Sequence, residues 1–138
     1  MRTTVEMSPS ATPVRAIMSP GIIVLSGDAT VADCAAAMAE HHTHAVLIID
    51  PKEREPLGWV KHKDVLHHLR QDPLTTRAND VVAAEAAWIH PEETVEAAAD
   101  RMVAEDISHM LVGHGQGTLP EGVLSSWDLV SFYAGRNR

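Results

Sequence analysis

The chain is short of several things, and each shortage closes off a class of protein. Its 138 residues include one cysteine, Cys34, so no disulfide can form within it, which fits a reducing cytoplasm. Aromatic residues are few: three Trp, one Tyr and one Phe. A core must therefore be built from Ala, Val, Leu, Ile and Met, and an apolar content of 45% suffices for one. Basic residues number 11 against 19 acidic ones, a formal charge of −8. A general nucleic-acid binder needs a basic face to neutralise phosphates, so that partner is set aside. The longest aliphatic run, AVLII from Ala45 to Ile49, falls far below the roughly 20 residues a membrane-spanning helix requires. The opening residues MRTTVEMSPSATPVRA lack the apolar segment of a secretory signal. A soluble cytoplasmic protein is expected, of one compact domain or two very small ones.

What is present is a duplication. Shifted by 64 residues the sequence matches itself without a gap: Thr30-Val31 falls on Thr94-Val95, Ala35 on Ala99, Met38 on Met102, and Leu47 on Leu111. Pro56, Gly58 and Asp64 fall on Pro120, Gly122 and Asp128. Such a constant offset implies two copies of one supersecondary unit.

Each copy predicts the same order. An extended piece (GIIVL, AAWIH) precedes a helix, with Thr30 and Thr94 as N-caps and Asp33 three residues after Thr30 as in a capping box. Val31, Ala35, Met38 and Val95, Ala99, Met102 recur at helical spacing. An aliphatic strand follows (HAVLIID, HMLVG), then a turn, a second short strand (LGWV, EGVL) and a closing helix (KDVLHHLR, SWDLVSFYAG). The unit is βαββα and the fold class α+β. Residues 1–12 are expected as a flexible tail, 13–72 as the first repeat and 77–136 as the second. RQDPLTTRAND joins them, with Pro73 ending the first closing helix. Each half alone is marginal for independent folding, so the halves are expected to pack their sheets about a pseudo-two-fold axis, with clefts where they meet.

The order of these elements, VRAIMSP (Val14 to Pro20), TVADCAAAM, ISHMLV (Ile107 to Val112), and the two segments GWVKHKD and GVLSSWD resemble the cystathionine-β-synthase (CBS) domain. Two tandem copies form a Bateman module, and the resemblance covers about residues 13 to 136. It implies a non-catalytic regulatory module that binds AMP, ADP, ATP or S-adenosylmethionine between the repeats and modulates a partner protein. No other cofactor is implied, and the regulated partner is not identified by the sequence. The resemblance also implies a homodimer formed through the helices, with Trp127, Phe132 and Tyr133 supplying an apolar face.

It further implies the site residues. Asp128 would receive the ribose hydroxyls and Ser125 lie near the phosphates, with Met18, Ile23, Thr43 and His44 as adenine-side residues and His109 where members often place a phosphate-contacting Arg. A second, weaker site would use Lys61, Asp64, Val82, Ala87, Ile107 and Ser108. The usual central-strand proline is replaced by Leu47 and Leu111.

The chemistry of the residues agrees. A carboxylate can accept two hydrogen bonds from vicinal hydroxyls, and free amides at a helix start favour an anion. Ser125-x-x-Asp128 is equally an ordinary capping box, and the two roles are compatible. Lys61, where the second copy has Ser, is a poor N-cap. It reads either as a drifted, solvated position or as a phosphate-binding cation. The nine histidines, HHTH from His41 to His44 among them, show no metal-ligand spacing and are read as solvated. Cys34, among alanines in a helix, is read as a small core residue. The alternative to a ligand sensor is a docking module whose clefts bind nothing. A small hydrolase lacks a nucleophile elbow, a phosphate loop or paired carboxylates.

Overall fold

A computed structural model describes residues 8–82 and 86–135. It is a mixed α+β protein with two three-stranded sheets. The described residues form two compact units. One joins the residues up to Gly21 with those from Ala87 onward; the other runs from Ile22 to Ala86.

In the second of these, β1 (Val24–Ser26) lies parallel to β2 (Ala45–Ile49), and β2 lies antiparallel to β3 (Pro56–Lys61). The crossover from β1 to β2 is α1 (Val31–His41), and α2 (His62–His68) follows β3 directly. Thr30 and Asp33 form the expected reciprocal cap of α1, at 3.1 and 2.9 Å. The helix ends in a left-handed residue, His42.

The helix face that enters the core is Val31, Cys34 and Met38, with Ala35 at its margin. The sheet contributes Val46, Ile48 and Val60 to the same cluster. Leu47 is also buried, but it alternates with Val46 and Ile48 and so stands on the other face of β2.

The first unit repeats this plan. β4 (Trp88–Ile89) is parallel to β5 (His109–Val112), which is antiparallel to β6 (Gly122–Ser125). α4 (Val95–Glu105) crosses between β4 and β5, and α5 (Ser126–Tyr133) follows β6. Here Val95, Ala98 and Met102 enter the core, and Leu111 takes the place of Leu47.

The link between the copies is more ordered than a joining segment. It contains a short helix, α3 (Ala78–Val81), in the second unit. Ala78 and Val81 are core residues there, and Val31 N–H, Ala78 N–H and Asn79 N–H bond across to Thr76, Ala29 and Gly27 carbonyls. The matching segment 64 residues earlier is a single 3-10 turn, Val14–Ala16, and it docks in the first unit, with the C-terminal copy. Val14 and Ile17 are buried in that copy's core. Val14 N–H donates to Glu93 C=O at 2.8 Å, Val95 N–H to Thr12 C=O at 2.9 Å, and Arg15 pairs with Glu92. Burying two such aliphatic side chains contributes about 1.5–3 kcal/mol each.

Residues 1–7 of the expected tail lie outside the described residues. Pro9 and Thr12 already accept hydrogen bonds from α4, and Thr12 is buried.

One expectation about the surface needs correction. Phe132 cannot supply an exposed apolar face, because it is 7% exposed and packs in the core with Leu124 and Leu129. The helical period instead turns Trp127, Val130 and Tyr133 outward. Leu66 and Leu69 are the exposed large apolar residues of the equivalent stretch in the other copy.

Candidate functional site

The segment GVLSSWD becomes a strand that runs straight into a helix. β6 ends at Ser125, which is extended and therefore able to cap α5. Asp128 N–H donates to Ser125 Oγ at 3.1 Å, and Ser125 N–H donates to Asp128 Oδ2 at 2.8 Å. The capping reading of this pair is thus correct as far as it goes.

The cap also fixes the carboxylate at the edge of solvent. Asp128 is half-buried, and desolvation pushes its carboxyl above the ordinary value; hydrogen bonds from the Ser125 backbone and side chain pull the other way. A carboxylate in that state gains from any further donor that reaches it.

Other expected residues gather around this corner. His109 is the direct cross-strand partner of Ser125, and its Nδ1 lies 2.9 Å from Ser108 Oγ. Ser108 C=O accepts from Ser126 N–H at 2.8 Å, lacing the start of β5 to the first turn of α5. Met18 lies against Gly122, at the opposite end of β6. Met18, His109, Ser125 and Asp128 therefore belong to one compact unit. So do Ala87, whose carbonyl accepts from Leu111 N–H, and Ile107, which packs against the core at the end of α4.

Ile23, Thr43, His44, Lys61, Asp64 and Val82 belong to the other unit. Ile23 and Val82 pack on its core, and Thr43 Oγ1 donates to Ala45 C=O. His44 is exposed, and its ring stands edge-on to that of His62 at 5.1 Å. The corner built by GWVKHKD is the less complete one. Lys61 N–H donates to Asp64 Oδ2 at 2.9 Å, but Lys61 offers no side-chain acceptor to α2. An ammonium carries only donors.

Cys34 lies where the reading of a small core residue puts it. Cys34 is fully buried, and burial, aided by the negative charge of Asp33, pushes its thiol up to about 11. Such a thiol is not a nucleophile at neutral pH. Among the described residues no group of three or more His, Cys, Asp or Glu is placed to hold a metal ion. No described helix is long and apolar enough to cross a membrane.

Two features of this corner were not found from the sequence. In the sequence Gly122 reads only as part of the repeated pattern, yet a Cβ there would meet Met18 Sδ and the Ser19 carbonyl at 2.7 Å. The N-terminal arm, the described residues up to Gly21, reads in the sequence as part of the repeat it precedes, yet its Val14 and Ile17 enter the core of the C-terminal copy. The available signal was that Val14, Ile17 and Met18 fall on Ala78, Val81 and Val82 at the same offset of 64.

Comparison with known proteins agrees with this architecture. The CBS domain family matches the chain twice, over residues 14–71 and 78–135. No curated protein matches it in sequence. Among solved structures, the CBS domain of a bacterial CNNM/CorC family Mg2+ transporter in complex with ATP superposes with a TM-score of 0.79 at 19% identity, over 91% of this chain and 89% of that one. The CBS domain pair of protein MJ0100, in complex with 5′-methylthioadenosine and S-adenosyl-L-methionine, gives 0.79 at 20% identity, over 91% and 98%. A hexameric CBS-CP12 protein from bloom-forming cyanobacteria gives 0.77 at 26% identity, over 91% and 71%. With both copies matched and the βαββα order observed twice, the chain belongs to the CBS domain family as a tandem pair.

Proposed function

We propose that this CBS pair is a non-catalytic regulatory module that binds an adenosine-containing ligand, with Asp128 receiving the ribose hydroxyls. The observation that carries the reading is the half-buried Asp128 carboxylate, held by its cap, with desolvation that the cap only partly offsets. A vicinal diol supplies two donors to such a group. Similar CBS structures holding ATP, or 5′-methylthioadenosine and S-adenosyl-L-methionine, support the ligand class. Ser125, which caps the helix of Asp128, and His109, its cross-strand partner, lie in the same unit and are the residues proposed to face the phosphate side.

The partner surface follows from the closing helices. Trp127, Val130 and Tyr133 are exposed on α5, as are Leu66 of α2 and Leu69 just after it. Exposed apolar side chains of this kind suit a homodimer interface. The buried, unpaired-with-sulfur Cys34 fits an intracellular setting.

Thermal melting with AMP, ADP, ATP and S-adenosylmethionine tests the ligand reading. A ligand at one hundred times Kd adds about 2.7 kcal/mol of stability. No shift with any of the four would leave the docking-module reading, which the exposed helix faces favour.

A further inference from the structure

The N-terminal arm and the ligand corner share one strand. β5 covers one edge of β6. On the other edge Ser19 and Val123 exchange both backbone hydrogen bonds, each 2.9 Å long. The arm can lie this close only because position 122 has no side chain. A Cβ on Gly122 would stand 2.7 Å from both Met18 Sδ and the Ser19 carbonyl, and 3.1 Å from Met18 Cγ. Backbone oxygen cannot yield as a side chain can, so Gly122 is a positioning residue for the arm.

The arm is not held evenly. Its base is sunk in the core through Val14 and Ile17. Past that point Met18 is only half-buried, and Ser19, Pro20 and Gly21 are exposed. The part that can lift at the least cost to the core is therefore the short stretch from Met18, which packs at the core margin, to the exposed Gly21. Its tie to the protein is the Ser19–Val123 pair. Two residues beyond Val123, Ser125 ends the strand and caps the helix that carries Asp128.

We propose that Met18–Ser19 is a latch on Gly122–Val123 whose closure is coupled to ligand at the Ser125–Asp128 corner, so that occupancy is passed to the N-terminal arm. The proposal rests on the adenosine-ligand reading above. A lifted latch leaves the Val123 N–H and C=O unpaired at a strand edge and loosens the start of β6, two residues before the Ser125 cap. A ligand seated on that cap favours the closed strand. Coupling is reciprocal, so opening the latch must weaken the ligand by the same factor.

Amide hydrogen exchange by NMR on the full chain reads the latch directly. With ATP, and separately with S-adenosylmethionine, at about 100 times Kd, the Ser19 amide is expected to exchange more slowly by up to about 100-fold. In Gly122→Ala the Ser19 amide exchanges fast without ligand and ATP affinity drops. The Val14 amide, bonded to Glu93 C=O at 2.8 Å, stays protected and shows that the base of the arm remains docked. Binding that leaves Ser19 exchange unchanged overturns the coupling while the ligand reading stands. Wild-type affinity in Gly122→Ala does the same. Absence of binding by both ligands overturns the ligand reading and the coupling with it. Should Gly122→Ala fail to fold, Ser19→Pro removes the donor from the arm side and leaves β6 intact; unchanged ATP affinity in that variant overturns the latch.

Discussion

α2 and α5 start at equivalent places and are fastened differently. At α5 the bonds are reciprocal, Asp128 accepting from Ser125 and Ser125 from Asp128. At α2 only the acid half remains, Asp64 accepting from Lys61 N–H. The carboxylate thus has a structural task in both copies, and its presence alone says little about a ligand. What separates the corners is environment: burial raises the Asp128 carboxyl, while the hydroxyl that would complete the other cap is replaced by a cation.

The largest test of this contrast is Asp128→Ala. Loss of a charged hydrogen-bond acceptor is expected to weaken ATP or S-adenosylmethionine by about 1.5–3 kcal/mol, and Asp64→Ala by clearly less, both by calorimetric titration. If Asp64→Ala proves the more damaging, the corners have been ranked the wrong way round.

The second test is pH. Ligand hydroxyls favour the ionised Asp128, whose pKa lies above the ordinary 3.8 in the free protein. Affinity should therefore be full above the raised pKa and fall as pH drops through it, by up to about tenfold per pH unit for one proton. The stability of the free protein has the opposite sign. A raised folded pKa means that this group's contribution is fully present below the unfolded value and is lost as pH rises through the folded one. An acid-range titration in Asp128→Asn should lose both trends; if the affinity trend persists there, another group is responsible.

The third test exchanges the caps. Ser125→Ala should cost about 1 kcal/mol of unfolding free energy, and Lys61→Ser should restore part of such a bond and stabilise by up to about 1 kcal/mol. Urea unfolding measures both, and a destabilised Lys61→Ser would mean that the lysine has a role the cap comparison misses.

The smallest effect is expected at Cys34. With its thiol near 11 and buried, it should not react with a thiol reagent at pH 7.5 until the protein is unfolded. Rapid reaction of the native chain would show that the first-repeat core opens.

Much of this was legible because it is local. Thr30 with Asp33 and Ser125 with Asp128 are caps written within four residues, and they form as written. The offset of 64 carried the βαββα order across both copies. The less legible parts depend on what lies across space. Residues three and four apart flank the same helix face, so the sequence could not say that Cys34 and Ala98 lead while Ala35 and Ala99 sit at the margin. Phe132 reads as surface or core until the neighbouring turn places Trp127 and Tyr133 outward. Where the arm docks was least readable of all, since Val14 meets Glu93 across nearly eighty positions of chain.

That docking sets an order of events at the ribosome. The unit from Ile22 to Ala86 is one continuous stretch, so all of its own core residues have emerged together. The other unit is begun first and finished last. Val14 and Ile17 leave the exit tunnel early but share their core with Leu129 and Phe132, near the end of the chain. Synthesis at roughly 5–20 residues per second leaves the arm without its partners for several seconds. During that interval two aliphatic side chains are open to chaperones or to the C-terminal copy of a neighbouring nascent chain.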